Sequence, residues 1–132
     1  MIQRSRPGFS ENVFRQLMRA HSSDATPAEL GEMARKSTDL DVIAAVVGRR
    51  KTPPDALAEA FTRANNLAVL IESDGGRIYP PYEKPGLIKE VNSIVKSIAL
   101  NDSTPPDTKA AIMRSGRYPS VIALMRAKEQ LK

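Results

Sequence analysis

Apolar positions recur along this chain at helical spacing, in short bursts separated by proline-rich joints. Ser10 precedes Val13, Phe14, Leu17 and Met18, a set that predicts a helix through about His21 with these four on its inner face. After Thr26, Leu30, Met33 and Ala34 share one face, with Arg35 and Lys36 at the negative helix end. After Thr52, Ala56, Leu57, Ala60, Phe61 and Ala64 form a stripe, and after Thr104 the run Ala110–Met113 leads to Gly116, a helix stop. Each burst is followed by a second, more apolar one. Asp39 introduces Leu40–Gly48, Asn65 introduces Leu67–Ile71, and Pro119 introduces Val121–Met125. Segments apolar nearly all round are expected between neighbouring helices. A strand reading of Val42–Val47 or Leu67–Ile71 is set aside because alanine is frequent and each run lies between helix caps.

The joints repeat. Thr26-Pro27-Ala28-Glu29, Thr52-Pro53-Pro54-Asp55 and Thr104-Pro105-Pro106-Asp107 share one pattern, and their threonines stand 26 and then 52 residues apart. The missing copy falls near position 78, where the chain reads Tyr79-Pro80-Pro81-Tyr82-Glu83. Threonine is a good N-cap, proline suits the first helical position, and an acidic residue three after the threonine can bond back to the cap amide. The spacing therefore predicts helix starts at a period of about 26. The third unit lacks a threonine, and its helix is expected after Pro85-Gly86, with Leu87, Ile88, Val91, Ile94, Val95 and Ile98 at three-and-four spacing. The expected organisation is one all-α helical-repeat domain over 1–132. Residues 1–22 form an N-terminal arm and capping helix, and 23–132 form three to four helix pairs with an irregular loop at 73–86.

This pattern resembles the leucine-rich repeat variant family, a right-handed α-solenoid akin in style to HEAT repeats. The match is best over Ser23–Leu57, where Thr26-Pro27-Ala28-Glu29-Leu30, Asp39-Leu40-Asp41-Val42 and Ala45-Val46-Val47 precede Thr52-Pro53-Pro54. It extends more weakly over Asn101–Ala127 and does not cover Asp74–Asn92. The repeat is slightly longer than the family's unit. The arginine that often follows the valine of the short helix is Ile43 here, and the cysteine cluster ahead of the repeats in some members is missing. The resemblance implies a right-handed solenoid and carries no catalytic residue across.

Composition narrows the chemistry. The 132 residues include no cysteine and one histidine, His21, so a thiol nucleophile, an iron–sulfur cluster, a thiolate zinc site and a multi-histidine metal site are excluded. No cofactor or metal is expected. His21 reads as an exposed or capping residue. Asp39 with Asp41 and Asp55 with Glu59 are paired carboxylates by spacing, explained by caps and helix surfaces. An enzyme ranks last as a reading, with glycosidase-type carboxylate chemistry the one class left open. The longest apolar run, Val42–Val47, is far short of the roughly 20 residues of a membrane helix. The N-terminus, with Arg4 and Arg6, has no signal-peptide stretch, so a cytoplasmic protein is expected.

Two surfaces stand out. The loop at 73–86 carries Arg77, Tyr79, Tyr82 and Lys84, a mixture favoured at interface hot spots. The competing reading packs the tyrosines back on the helices. Gly75-Gly76 in this loop lacks the context of a phosphate loop. The net charge of +5 has a candidate edge in Arg49, Arg50 and Lys51 together with Arg35, Lys36 and Arg63, which stacked helix ends would bring together to track a phosphate backbone. Solvated cations at helix C-termini are the plainer reading of that edge. Arg126, Lys128, Glu129 and Lys132 read as a solvated face. The first expectation is a noncatalytic protein-interaction module, an adaptor, inhibitor or chaperone-like partner of another protein. The alternative is nucleic-acid binding through the edge around 49–51. Self-association is open, since a solenoid leaves an end that a second copy can cover.

Overall fold

Helices begin in this chain where proline and a capping side chain allow. The computed structural model describes residues 11–73 and 77–130, and among these it contains seven α-helices and no strand. They are α1 (Glu11–His21), α2 (Pro27–Lys36), α3 (Leu40–Val47), α4 (Pro54–Ser73), α5 (Lys84–Leu100), α6 (Pro106–Ser115) and α7 (Pro119–Gln130). The expected cap Ser10, Arg4, Arg6, Gly75-Gly76 and Lys132 lie outside the described residues.

The Thr26 start has the expected geometry. The Thr26 hydroxyl accepts from the Glu29 amide at 3.2 Å while the Glu29 carboxylate accepts from the Thr26 amide at 3.2 Å. Asp39 opens α3 by accepting from the amides of Asp41 and Val42 at 2.9 and 3.2 Å. Gly116 closes α6 in the left-handed conformation at φ 66°, where a side chain would be strained.

Thr52 and Thr104 depart from the expectation. Each precedes two prolines rather than one, so the helix starts at the second, Pro54 or Pro106, and the threonine falls outside capping reach. Both hydroxyls instead donate backwards, to the carbonyls of Val46 and Ile98 six residues earlier, each at 2.6 Å. Both threonines are buried. They fasten a helix start to the end of the helix before it.

The second departure is α4. The predicted break at Asn65 does not occur, and one helix of 20 residues runs from Pro54 to Ser73. Its buried positions Leu57, Ala60, Phe61, Ala64, Leu67, Ala68 and Ile71 follow one another at three- and four-residue steps, so the apolar stripe crosses Asn65 without a change of phase. The Tyr79–Glu83 segment consequently starts no unit of its own. It is the turn between α4 and α5, and this long pair occupies the space of two 26-residue units. The turn Val46–Thr52 returns as Ile98–Thr104, 52 residues on, with the same backbone bonds: Arg49 N–H to Val46 and Thr52 N–H to Arg49, then Asn101 N–H to Ile98 and Thr104 N–H to Asn101.

Alternate helices pack side by side, α1 against α3, α3 against α5 and α5 against α7, with α2 against α4 in a second row. Where α2 meets the start of α4, a Cβ on Gly31 would stand 3.3 Å from the Pro53 ring, a tight contact that the ring would have to yield to accept. Leu30, Leu40, Leu57, Ile71, Ile94, Ile98 and Ile112 are fully buried in the core. Two face assignments change. On α1, Val13 and Leu17 are half-buried and Ala20 is buried, whereas Phe14 and Met18 are 52% and 62% exposed. The small Ala20 sets which face meets α3, and Phe14 and Met18 fall off it. On α7, Val121 and Met125 are buried but Ala123 and Leu124 are exposed, because this outermost helix has α5 on one side.

Helix C-termini leave carbonyls without intrahelical donors. Here later parts of the chain supply them. Arg49 reaches the Ala20 and Ser22 carbonyls behind α1, at 2.5 and 3.1 Å. Arg63 reaches Ala34 and Ser37 behind α2, at 3.0 and 2.6 Å. Asn101 reaches Val47 and Arg49 behind α3, at 2.9 and 3.0 Å. Lys128 reaches Leu100 behind α5, at 3.0 Å.

Candidate functional site

The α4–α5 turn is pinned at one tyrosine and open at the other. Tyr79 is buried, while Tyr82 is 82% exposed. The Glu83 amide donates to the Pro80 carbonyl at 2.9 Å and closes the turn ahead of Lys84, the first residue of α5. Of the four loop residues singled out by sequence, Arg77 and Tyr82 are exposed, Lys84 is half-buried and Tyr79 is part of the core. The packed-back reading thus describes Tyr79, and the open reading describes Tyr82. Four further large apolar side chains are exposed around this end of the pair: Val69 and Leu70 in the last turns of α4, Ile78 in the turn, and Ile88 in the first turns of α5. Sequence periodicity assigns Ile88 inward, but helix registers here seat Leu87 and Val91 and leave Ile88 at the margin. These five exposed apolar residues, all within 20 positions of one another along the chain, make this turn a candidate contact surface.

The predicted basic edge resolves into separate sets with separate partners. Arg35 pairs with Asp55 at 2.5 Å and with Glu59 at 3.3 Å, joining α2 to α4. Lys36 pairs with Glu32 at 3.4 Å along α2. Arg63, partly desolvated, serves the end of α2, and Arg49 serves the end of α1. Lys51 donates to the Ser23 carbonyl at 3.3 Å. Of the three-residue run, Arg50 lines a groove.

That groove, of about 440 Å³, lies where the ends of α3, α5 and α7 meet, lined by Arg50, Lys96, Ser97, Asn101, Asp102 and Lys128 with Gly48 and Leu100. Lys128 donates to Asp102 at 2.9 Å and holds its carboxyl below the usual carboxylate range, with the charges of Arg50 and Lys109 adding to the effect. Lys128 is therefore half-buried and engaged rather than part of a solvated face. Lys96, Lys109, Lys128 and Asp102 escape sequence reading one helix at a time. The offset of 52 carries their signal, since it sets Asn101-Asp102-Ser103 beside Arg49-Arg50-Lys51; the Ser103 hydroxyl donates to the Arg50 carbonyl at 2.8 Å.

A second cleft, of about 360 Å³, opens between α1 and α2 beside Arg15, Arg19, Glu29 and Lys36. Arg19 binds both oxygens of Glu29, and with the Thr26 amide it brings the Glu29 carboxyl down to about 2. This pair has a structural use, locking α1 onto the start of α2. His21 is exposed at the end of α1. Asp39 is a helix cap, and Asp55 and Glu59 are partners of Arg35. Among the described residues no group of three or more His, Asp or Glu side chains is placed to hold a metal ion, and no helix is long and apolar enough to cross a membrane. No protein-family model matches this chain, and neither does any curated protein or solved structure.

Proposed function

We propose that the protein is a noncatalytic binding module, a short right-handed α-solenoid of the leucine-rich repeat variant or HEAT style, that docks another protein at the end of its α4–α5 pair. The repeat reading is supported by the alternate packing of α1, α3, α5 and α7 and by the turn that recurs after 52 residues. The docking reading rests on one observation: Val69, Leu70, Ile78, Tyr82 and Ile88 are all exposed around a turn whose buried Tyr79 keeps it in place. An aromatic ring held out on a fixed turn, with Arg77 and Lys84 beside it, has the composition of an interface anchor and loses little entropy on binding. Its partner is a protein with an apolar recess and acidic rim.

The test places a photo-crosslinking amino acid at Tyr82 in cells, with a control at exposed Arg126 on α7. One defined protein captured at Tyr82 and absent at Arg126, and lost when Leu70 and Ile88 become Ser, is the expected result. Capture of a second copy of this chain makes the surface a self-association interface and overturns the hetero-partner reading. Equal capture at both positions overturns the docking surface altogether.

A further inference from the structure

We propose that the groove at the ends of α3, α5 and α7 is a second binding site, one that holds backbone phosphates of double-stranded nucleic acid through Arg50 and Lys96, with Lys128 released from Asp102 as a third cation and Lys109 of α6 as a fourth outside the groove lining. Three cations, Arg50, Lys96 and Lys128, line the groove, and Lys109 of α6 joins Arg50 and Lys128 in acting on the Asp102 carboxylate. The three cations that line the groove come from the α3–α4 turn, α5 and α7, so its charge is supplied by three separate elements.

The groove rests on a fixed frame. Asn101 ties the end of α5 to the Val47 and Arg49 carbonyls, and Ser103 ties to the carbonyl of Arg50 itself. Helix C-termini ordinarily repel anions. In this groove the carbonyls of Val47, Arg49 and Leu100 already accept from Asn101 and Lys128, which reduces that opposition. The Lys128–Asp102 pair is solvent-accessible on both sides, and such pairs are weak, so an arriving phosphate takes Lys128 at small cost. Leu100 is the one large apolar liner, and the lining contains no aromatic ring. A groove without rings has nothing on which single-stranded bases can stack, which favours the backbone of a duplex. A groove with one large apolar side chain among its cations has little to insert into a lipid surface.

Titration of a labelled DNA duplex at increasing salt tests this site. With three to four phosphates engaged, affinity falls about 40- to 150-fold between about 50 and 200 mM salt. Arg50→Ala and Lys96→Ala each lower the salt slope by about one. Asp102→Asn removes the carboxylate that competes with phosphate for Lys128 and tightens binding without lowering the slope. Lys36→Ala, which removes an exposed cation from α2, leaves the slope unchanged. All these positions are exposed, and unchanged circular dichroism confirms that each variant is folded. Absence of binding at about 50 mM salt, an equal loss in Lys36→Ala, or weaker binding by Asp102→Asn overturns the proposal. Binding to anionic vesicles in preference to the duplex overturns it as well. Tyr82→Ala is expected to bind the duplex unchanged, which separates this site from the docking surface.

Discussion

The Tyr118 hydroxyl donates to Oδ1 of Asn65 at 2.7 Å, joining the residue before α7 to the middle of α4 across 53 residues of sequence. The Tyr118 ring meets Phe61 edge-on, with centroids 6.4 Å apart, and is 2% exposed. This contact holds the α6–α7 turn against α4, helped on its outer side by the Arg117–Glu72 ion pair. Burial pushes the Tyr118 hydroxyl above its ordinary value, so the neutral ring is the form the fold requires.

Tyr118→Phe keeps the ring and removes the donor, leaving Asn65 without its partner. The expected loss is about 1–2 kcal/mol of unfolding free energy, and Tyr118→Ala, which also empties the ring's site, costs about 3–5 kcal/mol. Urea unfolding measures both. A double-mutant cycle with Asn65→Ala should recover most of the Tyr118→Phe loss as coupling.

Arg49→Ala removes the donor from the Ala20 and Ser22 carbonyls. It is expected to cost about 1.5–3 kcal/mol, as for hydrogen bonds made by a charged group. The loss should be local as well as global. Amide exchange in the last turn of α1 is expected to speed up while that of α5 follows global stability. Uniform change across all helices would show that Arg49 has no specific tie to α1.

Thr52 and Thr26 respond to different replacements because their hydroxyls work in opposite directions. Thr26→Ala loses an exposed cap worth about 1 kcal/mol. Thr52→Val keeps the shape and leaves the Val46 carbonyl buried without that donor, at about 1–3 kcal/mol, while Thr52→Ser is milder. Thermal melts that rank Thr26→Ala above Thr52→Val in cost would contradict the bonds described.

The Arg19–Glu29 pair predicts an acid limb. The Glu29 carboxyl falls from its usual 4.5 to about 2 in the folded chain, chiefly through the hydrogen bonds from Arg19. A depressed acid contributes stability that is fully present above the unfolded value and lost as pH falls through the folded one. The contribution should therefore fade between about pH 4.5 and pH 2. Unfolding followed against pH should show a shallower decline across that window in Glu29→Gln than in the parent chain.

Gly116→Ala tests the left-handed turn alone, because a Cβ there meets nothing within 4 Å. The expected cost is about 1–2 kcal/mol, all of it backbone strain, and Gly116→Asn should be gentler.

Local chemistry was legible where a few neighbouring residues decide the outcome. Thr26 with Glu29, Asp39 before Leu40, Gly116 and Pro119 each start or stop a helix as their sequence predicts. The misreadings arise where something distant decides. Asn65 reads as a helix start, but the apolar stripe passes through it and its side chain belongs to Tyr118. Thr52 and Thr104 share the letters of Thr26, and one added proline reverses the direction of their bonds. Phe14 and Met18 have the spacing of an inner face, yet Ala20 chooses another.

The candidate surfaces were legible as residue types and not as partners. Arg49 and Arg63 read as loose cations because nothing nearby shows that a helix end 26 to 29 residues back lacks donors. Tyr79 and Tyr82 differ by three positions and have opposite fates, which only the packing of α4 on α5 decides. Asp102 gains its importance from Arg50, Lys109 and Lys128, which sequence separates widely.

The donors that close the helix ends all lie later in the chain than the carbonyls they serve. Arg49 follows Ala20 by 29 residues, Arg63 follows Ala34 by 29, and Lys128 follows Leu100 by 28. In a chain made amino end first, the carbonyls behind α1, α2 and α5 therefore meet their donors only after a further 28 or 29 residues, and the Val47 carbonyl behind α3 only after 54. The ends of α1, α2, α3 and α5 are thus supplied in the same order in which these helices occur along the chain.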